Sequence, residues 1–346
     1  MNKKVVRQVL GIDVAQKELV VCLGRMDEAF CSELYAYKTF ANTAKGFISL
    51  VQWVKKLTVS DLGVRYVMEA TGVYHESLAY FLKDQGLEVS IILPNKISNY
   101  ARSLTIKTVT DKTASEAIAQ FGLERNLEQW EKPSPIYKRL KQLTREREQL
   151  VAERTMVKNQ LHAEKAEAES NKASVTRAQK RIAFLTKQKN EITAEITLLV
   201  KSEESTHRSV ELLCSIPGVG LLTAAIVLAE TNGFDLIRNK RQLTSYAGLD
   251  VKEKQSGTSV KGKPKISKKG NRFLRKALHL PALSAIRSNE RYKAIFVRLV
   301  GKHGIKMKAA VAVQRKLLEM MYTLFKADKK YDKDHYRKNE VELVEM

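Results

Sequence analysis

Two carboxylates stand where apolar strands end. Val5, Val6, Val9, Leu10, Ile12 and Val14 form a largely β-branched run that reads as a buried strand, and Asp13 inside it carries a desolvation cost that calls for a partner. A second run, Val64-Arg65-Tyr66-Val67-Met68, ends on Glu69, followed by Ala70-Thr71-Gly72 and a helical pattern. Two strands that each deliver one acid at a similar position could hold a divalent cation between them, although acids at strand ends also serve purely structural ends. Further on, Asp111 lies where a helix begins: Thr110 or Asp111 can cap it, and Ala117, Ile118 and Phe121 recur at helical spacing. One turn on, facing the same way as Asp111, such a site would want another carboxylate; the chain has Ala114. Glu116 points about 200° round that helix and cannot stand in for it.

The elements that must position these acids follow from the pattern around them. After the Asp13 strand come β-rich runs at 18–24 and 31–39, a helix over 44–56, the Glu69 strand, a helix over 74–85 and a strand over 87–93 that Pro94 closes. Three early strands on short turns, followed by alternating helices and strands, predict a mixed sheet with helices on its faces. A Rossmann-like sheet shares much of this order.

From Ser134 the composition turns to Lys, Arg, Glu, Gln, Ala and Leu. Ile136, Leu143, Leu150 and Val157 recur at sevens, and Ile182, Leu185, Ile192, Ile196 and Leu199 follow a seam interrupted by Lys189. This predicts a long helical arm, with 170–174 able to turn it back as a hairpin and the seam available for self-association. Beyond His207, Ile216-Pro217-Gly218-Val219-Gly220 separates two helical patterns. That turn can offer Gly218, Gly220 and a helix N-terminus to a phosphate, or it can be a tight turn packed in a core. The stretch from Lys252 to Arg275 holds nine basic residues and one acid, interleaved with glycines, and is expected to be a loop lying against nucleic acid through Lys261, Lys263, Lys265, Lys268, Lys269, Arg272 and Arg275. Helices return from Asn271, the last over 306–325, before a charged tail.

With 346 residues the chain is too long for one ordinary domain. Lys and Arg number 61 against 38 Asp and Glu, a formal charge of +23 that points to a polyanionic partner without separating DNA from RNA. Cys22, Cys31 and Cys214 lack the close spacing of a zinc site or disulfide framework and read as buried apolar residues in a reduced cytoplasmic protein. No apolar run approaches the roughly 20 residues that span a bilayer, so no membrane partner is expected.

Taken in order, Gly11-Ile12-Asp13, Glu69-Ala70-Thr71-Gly72, Thr110-Asp111-Lys112-Thr113, Ile216-Pro217-Gly218-Val219-Gly220, Tyr246-Ala247-Gly248-Leu249, Ser256-Gly257 and Ile266-Ser267-Lys268-Lys269-Gly270-Asn271 resemble the DEDD-type insertion-sequence transposases, bridge-RNA-guided recombinases with a RuvC-like N-terminal domain. The likeness runs over nearly the whole chain. It implies an α/β RNase H-like (RuvC-like) domain at 1–133, a coiled-coil arm at 134–206, a mostly α-helical C-terminal transposase domain at 207–326 and a charged tail at 327–346. It also implies Mg²⁺ or Mn²⁺ held by Asp13, Glu69, Asp111 and a fourth acid, whose position is occupied here by Ala114, so that this chain is expected to be impaired. Ser256 is implied as the nucleophile that forms a covalent link to DNA. The implied partners are target and donor DNA, a guide (bridge) RNA and further copies of the chain in a dimer or tetramer with shared active sites, in the prokaryotic cytosol near the nucleoid. Two other functions fit the same residues: a RuvC-like nuclease in which water attacks, and a nucleic-acid scaffold without catalysis.

Overall fold

The structure is a computed structural model that describes residues 4–70, 72–104, 108, 110–253, 255–256, 260–262 and 265–333; of residues 255, 256, 260 and 261 it describes the backbone alone. The chain divides into two compact units, Met1–Lys132 and the part from Pro133 onward.

The first unit contains β1 (Val5–Val14), β2 (Glu18–Asp27), β3 (Ser32–Ala41), α1 (Ala44–Leu57), β4 (Val64–Glu69), α2 (Glu76–Asp84), β5 (Glu88–Ile92), α3 (Pro94–Ser103) and α4 (Asp111–Glu124). Its sheet has the order β3-β2-β1-β4-β5. The first three strands are antiparallel, whereas β4 runs parallel to β1 and β5 parallel to β4. This is the RNase H-like arrangement. Side chains alternate across a strand, so Leu10, Ile12, Val14, Tyr66 and Met68 share one face, where Phe47, Leu50 and Val54 of α1 and Leu78 and Leu82 of α2 complete a core. Val9 and Val67 occupy the other face with Ile118 and Leu123 of α4 and Ile97 of α3.

Pro94 ends β5, as its missing N–H requires, but it also begins α3 at a helix's first turn, where that loss is harmless. Ile97, Tyr100 and Ala101 of α3 recur at helical spacing among polar residues, a short signal that the expectations above pass over. Of the three cysteines only Cys22 is buried; Cys31 is exposed and Cys214 half-buried, which corrects the expectation of three buried thiols.

The second unit opens with α5 (Pro135–Lys165) and α6 (Lys172–Lys201), packed on each other as a hairpin. Asn171 caps α6 by accepting from the Ala173 and Ser174 amides, which places the turn where poor helix formers cluster. Ile192 and Ile196 of the apolar seam are buried within this unit, so the surface argument for self-association through them is met inside the chain. Then follow α7 (Glu204–Cys214), α8 (Leu221–Thr231), α9 (Lys240–Tyr246), the short strands β6 (Val251–Lys252), β7 (Gln255–Ser256), β8 (Val260–Lys261) and β9 (Lys265–Ile266), and α10 (Arg272–Ala277), α11 (His279–Ser288), α12 (Glu290–His303) and α13 (Lys306–Ala327). One core joins Leu140, Leu143, Ile192, Ile196 and Val200 of the hairpin to Leu213, Leu228, Leu243, Leu278 and Leu317 of the later helices.

Candidate active site

Strand alternation places Asp13 on the same face as Val9 and Gly11, and Glu69 on the same face as Val67. That is the α4 face. In the parallel register Ile12 lies opposite Met68, so Asp13 and Glu69, one residue on, end neighbouring strands side by side. The helix that supplies Asp111 is seated against them by a close approach: a Cβ built on Gly11 would stand 2.3 Å from the Ala119 nitrogen and 2.4 Å from the Ser115 oxygen, so no larger residue lets α4 lie on β1 here. Gly122 meets Val9 and Val67 in the same way. Thr110 caps the helix, accepting from the Thr113 amide while the Thr113 hydroxyl accepts from the Thr110 amide, and this sets Asp111 in the first turn.

Asp13 feels its burial and the other two acids. The half-buried Asp13 carboxyl is raised above its ordinary value, first by burial and then by the negative charges of Asp111 and Glu69, against a backbone hydrogen bond from Val14. Three carboxylates gathered at the end of a buried sheet form an oxygen-only donor set of the kind that Mg²⁺ or Mn²⁺ takes, and their repulsion is what a cation would relieve. Among the described residues no three His, Cys, Asp or Glu side chains converge to metal-ligand spacing. The donors therefore fit a divalent cation in type, while remaining near enough for mutual repulsion without being closed around a point. Ala114 lies one turn beyond Asp111, its amide bonded to the Thr110 carbonyl, and offers a methyl group. Glu116 faces the other way, into Tyr37 of β3 and Cys22 of β2, where it helps to raise both of their values.

Ser256 belongs to the second unit. The basic stretch around it is a ribbon in place of the expected loop: β6 pairs with β9 and β7 with β8, and Ser256 lies opposite Val260. Strands of two residues carry no periodic signal, so pattern reading passes over them. Gly257 and Lys263 fall outside the described residues, as does the side chain of Lys261. Lys265, Lys268, Lys269 and Arg272 are exposed. Arg275 is half-buried and donates to the Ala247 carbonyl at 2.7 Å, which ties α10 to the turn after α9.

The base of the ribbon is strongly held. The Ser267 hydroxyl donates to the Asp250 carboxylate, and Gly270, at φ +149°, lies so close to the Tyr246 oxygen that a Cβ would stand 2.4 Å from it. A residue not singled out in the sequence fixes this region. Glu230, almost fully buried in α8, accepts two hydrogen bonds from Arg145 of α5, at 2.8 and 3.0 Å, and one from Asn271 at 2.7 Å. The Tyr246 hydroxyl donates to the Glu230 carbonyl at 2.9 Å. A charged residue in the apolar run of α8 is the one signal that could have pointed to it.

The two glycines of the turn before α8 differ. Gly218, at φ +85°, packs so closely on α11 that a Cβ would lie 2.4 Å from the Pro281 oxygen, a structural role. Gly220 has open space beside it and precedes a helix N-terminus without a side-chain cap.

Residues 10–164 match the family of DEDD-type IS110 transposases, and residues 210–296 match the transposase family described as IS116/IS110/IS902. The pilin gene-inverting protein of Moraxella bovis is 29% identical over 331 residues, covering 94% of this chain and 97% of its own length. The transposase for insertion sequence element IS1111A of Coxiella burnetii is 22% identical over 353 residues, covering 94% of this chain and 91% of its own. Among solved structures, Thermus thermophilus RuvC bound to a Holliday junction covers 36% of this chain and 99% of its own, at a TM-score of 0.28 and 9% identity.

Proposed function

The chain belongs to the DEDD-type transposases of the IS110 family, and from that premise we propose that it exchanges DNA strands by covalent serine chemistry, guided by an RNA, at a carboxylate site this sequence leaves one acid short. The observation that carries the reading is that Asp13 and Glu69 lie side by side at the ends of β1 and β4 on the face that α4 covers, where burial first and then the charges of Asp111 and Glu69 raise the Asp13 carboxyl.

Asp13, Glu69 and Asp111 would hold Mg²⁺ or Mn²⁺, which when bound neutralises phosphate oxygens and lowers the pKa of an attacking hydroxyl. The Ser256 Oγ attacks a backbone phosphorus, a bond from phosphorus to one deoxyribose oxygen breaks, and that oxygen leaves as a hydroxyl while serine gives up its proton. The DNA is then held as a phosphoserine ester until the hydroxyl of a second strand reverses the step. Storing the bond energy in that ester is what separates exchange from hydrolysis, and the gene inversion named for the Moraxella relative is an exchange. The acids meet the serine of another copy of the chain in a dimer or tetramer, and the exposed cations Lys265, Lys268, Lys269 and Arg272 engage the phosphates of target and donor. Base pairing with the guide RNA selects the sites, so side chains need not read sequence.

The test compares strand exchange between paired donor and target DNA by the chain as it stands, by Ala114→Asp, and by Ala114→Asp with Ser256→Ala. A carboxylate here acts by holding the cation, and loss of one preorganised electrostatic group from a catalytic site costs about 10²–10³ in rate, so Ala114→Asp should exceed the chain as it stands by a factor of that order. The serine variant should lose both exchange and the protein–DNA adduct while still binding DNA. Equal rates for the first two would remove Ala114 from the site. Cleavage without an adduct in the third would replace the proposal with attack by water.

A further inference from the structure

A cavity of 330 Å³ lies within the second unit, bounded by α5 and α6 on one side and by α8, α10 and α11 on the other. Its apolar wall includes Leu222, Ile226 and Pro281. Its charged lining is unbalanced. Glu230 is matched by Arg145, and Glu148 by Lys276, which leaves Arg147, Arg154 and Lys189 without an ion pair among the described residues.

The two guanidiniums are held at some expense. Arg147 and Arg154, two turns apart on α5, share the cavity, and Arg147 Nε is committed to the Thr193 hydroxyl at 3.0 Å. Arg154 Nε is enclosed and has no hydrogen-bond partner among the described residues. The Arg147 guanidinium lies below its ordinary value, through desolvation first and also through the charge of Arg154, with Glu148 acting in the opposite direction. An enclosed donor without a partner, beside a second cation, is unfavourable unless an anion completes it. The first turn of α8 adds to this field, because Leu222 and Thr223 line the cavity just after the uncapped Gly220 and bring the positive end of an eleven-residue helix with them. At the edge, Lys276 and Leu280 are exposed, so the cavity opens to solvent.

We propose that this cavity binds a backbone phosphate of single-stranded nucleic acid, with Arg147, Arg154 and Lys189 as its cationic partners and the start of α8 as its neutral donor. The inference rests on the reading of the chain as a nucleic-acid recombinase and adds a binding site distinct from both the acids and the serine ribbon. A guanidinium pair suits a tetrahedral oxyanion, since its donors meet two oxygens at once. A duplex is too wide for a recess of this volume, whereas one strand can present a single phosphate to it.

The experiment measures anisotropy of fluorescein-labelled mixed-sequence 20-mers, as single-stranded RNA, single-stranded DNA and duplex DNA, over a KCl series. Arg154→Gln should weaken single-strand binding about tenfold and lower the salt slope by about one, the signature of one lost phosphate contact. Arg154→Lys should fall between it and the unaltered chain. Lys158→Gln removes the same charge from an exposed position on α5 and should change binding less than twofold, as should Arg154→Gln on the duplex. Without nucleic acid, Arg154→Gln should melt no lower than the unaltered chain, since it removes a cation that repels Arg147. Equal losses for Arg154→Gln and Lys158→Gln, equal losses on single strands and duplex, or a lower melting point with binding intact would each overturn the site. The RNA and DNA arms tell which strand it holds. Failure here with Ala114→Asp active in strand exchange would leave the proposed function standing; success here with Ala114→Asp inactive would do the reverse.

Discussion

The carboxylate end of the sheet and the serine ribbon are built on opposite plans. Asp13 and Glu69 end long strands in continuous register, and α4 lies on them at backbone contact, so core packing positions the acids. Ser256 stands on a two-residue ladder beyond another two-residue ladder, and its surroundings are anchored through Asp250, Gly270 and Glu230 at the base. The comparison teaches a division of labour: like charges are brought near one another where a core holds them, while the cationic ribbon is tied to the core at its base. Repulsion in the first region and anchoring in the second are separately measurable.

The largest effect should come from filling the contact that seats α4. Gly11→Val drives side-chain carbons into the Ser115 and Ala119 backbone and should destabilise the first unit by about 3 kcal/mol, the upper part of the range for overpacking. Urea unfolding followed by Trp53 and Trp130 fluorescence, both in that unit, reads it. A midpoint equal to the parent's would break the claim that close packing positions the acids.

On the ribbon side, Glu230→Ala removes the acceptor for Arg145 and Asn271. Losing one partner of a buried ion pair costs about 3–5 kcal/mol, and Arg145 remains 41% exposed, so about 2–3 kcal/mol is expected here. Amide exchange should quicken at 246–253 and 265–275 together. Exchange confined to α8 would show that Glu230 does not anchor the ribbon. Ser267→Ala, which loses one hydrogen bond to Asp250, should cost about 1 kcal/mol and quicken exchange only at Val251, Lys252 and Lys265 to Ser267.

The smallest effect has the opposite sign. Because the folded Asp13 value is raised, the stability linked to its proton is present below the unfolded value and is lost as pH rises through the folded one. At neutral pH the ionised group opposes folding, so Asp13→Asn should melt slightly higher than the parent without added metal, and the difference should vanish at acid pH. Mg²⁺ or Mn²⁺ should stabilise the parent and not the variant. A variant that melts lower at neutral pH would mean that Asp13 is a paired structural acid.

Much of the first unit is legible along the chain because a strand's period of two decides which side chains share a face. That rule puts Asp13 with Gly11 and Glu69 with Val67, and Thr110 marks where Asp111 must start a helix. The turn at Asn171 and the long last helix are equally local. The ribbon and the partner of the arm's seam are not, since two-residue strands have no period, and a seam does not say whether its partner is near or far in the chain.

What the sequence by itself determined is therefore the faces: which residues of each strand and helix look inward, and hence that Asp13 shares a face with Gly11, Glu69 with Val67, and that a methyl group stands one turn beyond Asp111. Only the tertiary structure decided the partners. Glu230 meets Arg145 across 85 positions, Gly218 is used up by α11 while Gly220 stays open, and the Nε of Arg154 is enclosed without an acceptor among the described residues. The reason is physical. A local period sets the direction of a side chain, but the cost of a buried charge depends on what packs around it, and that is decided by segments distant in the chain.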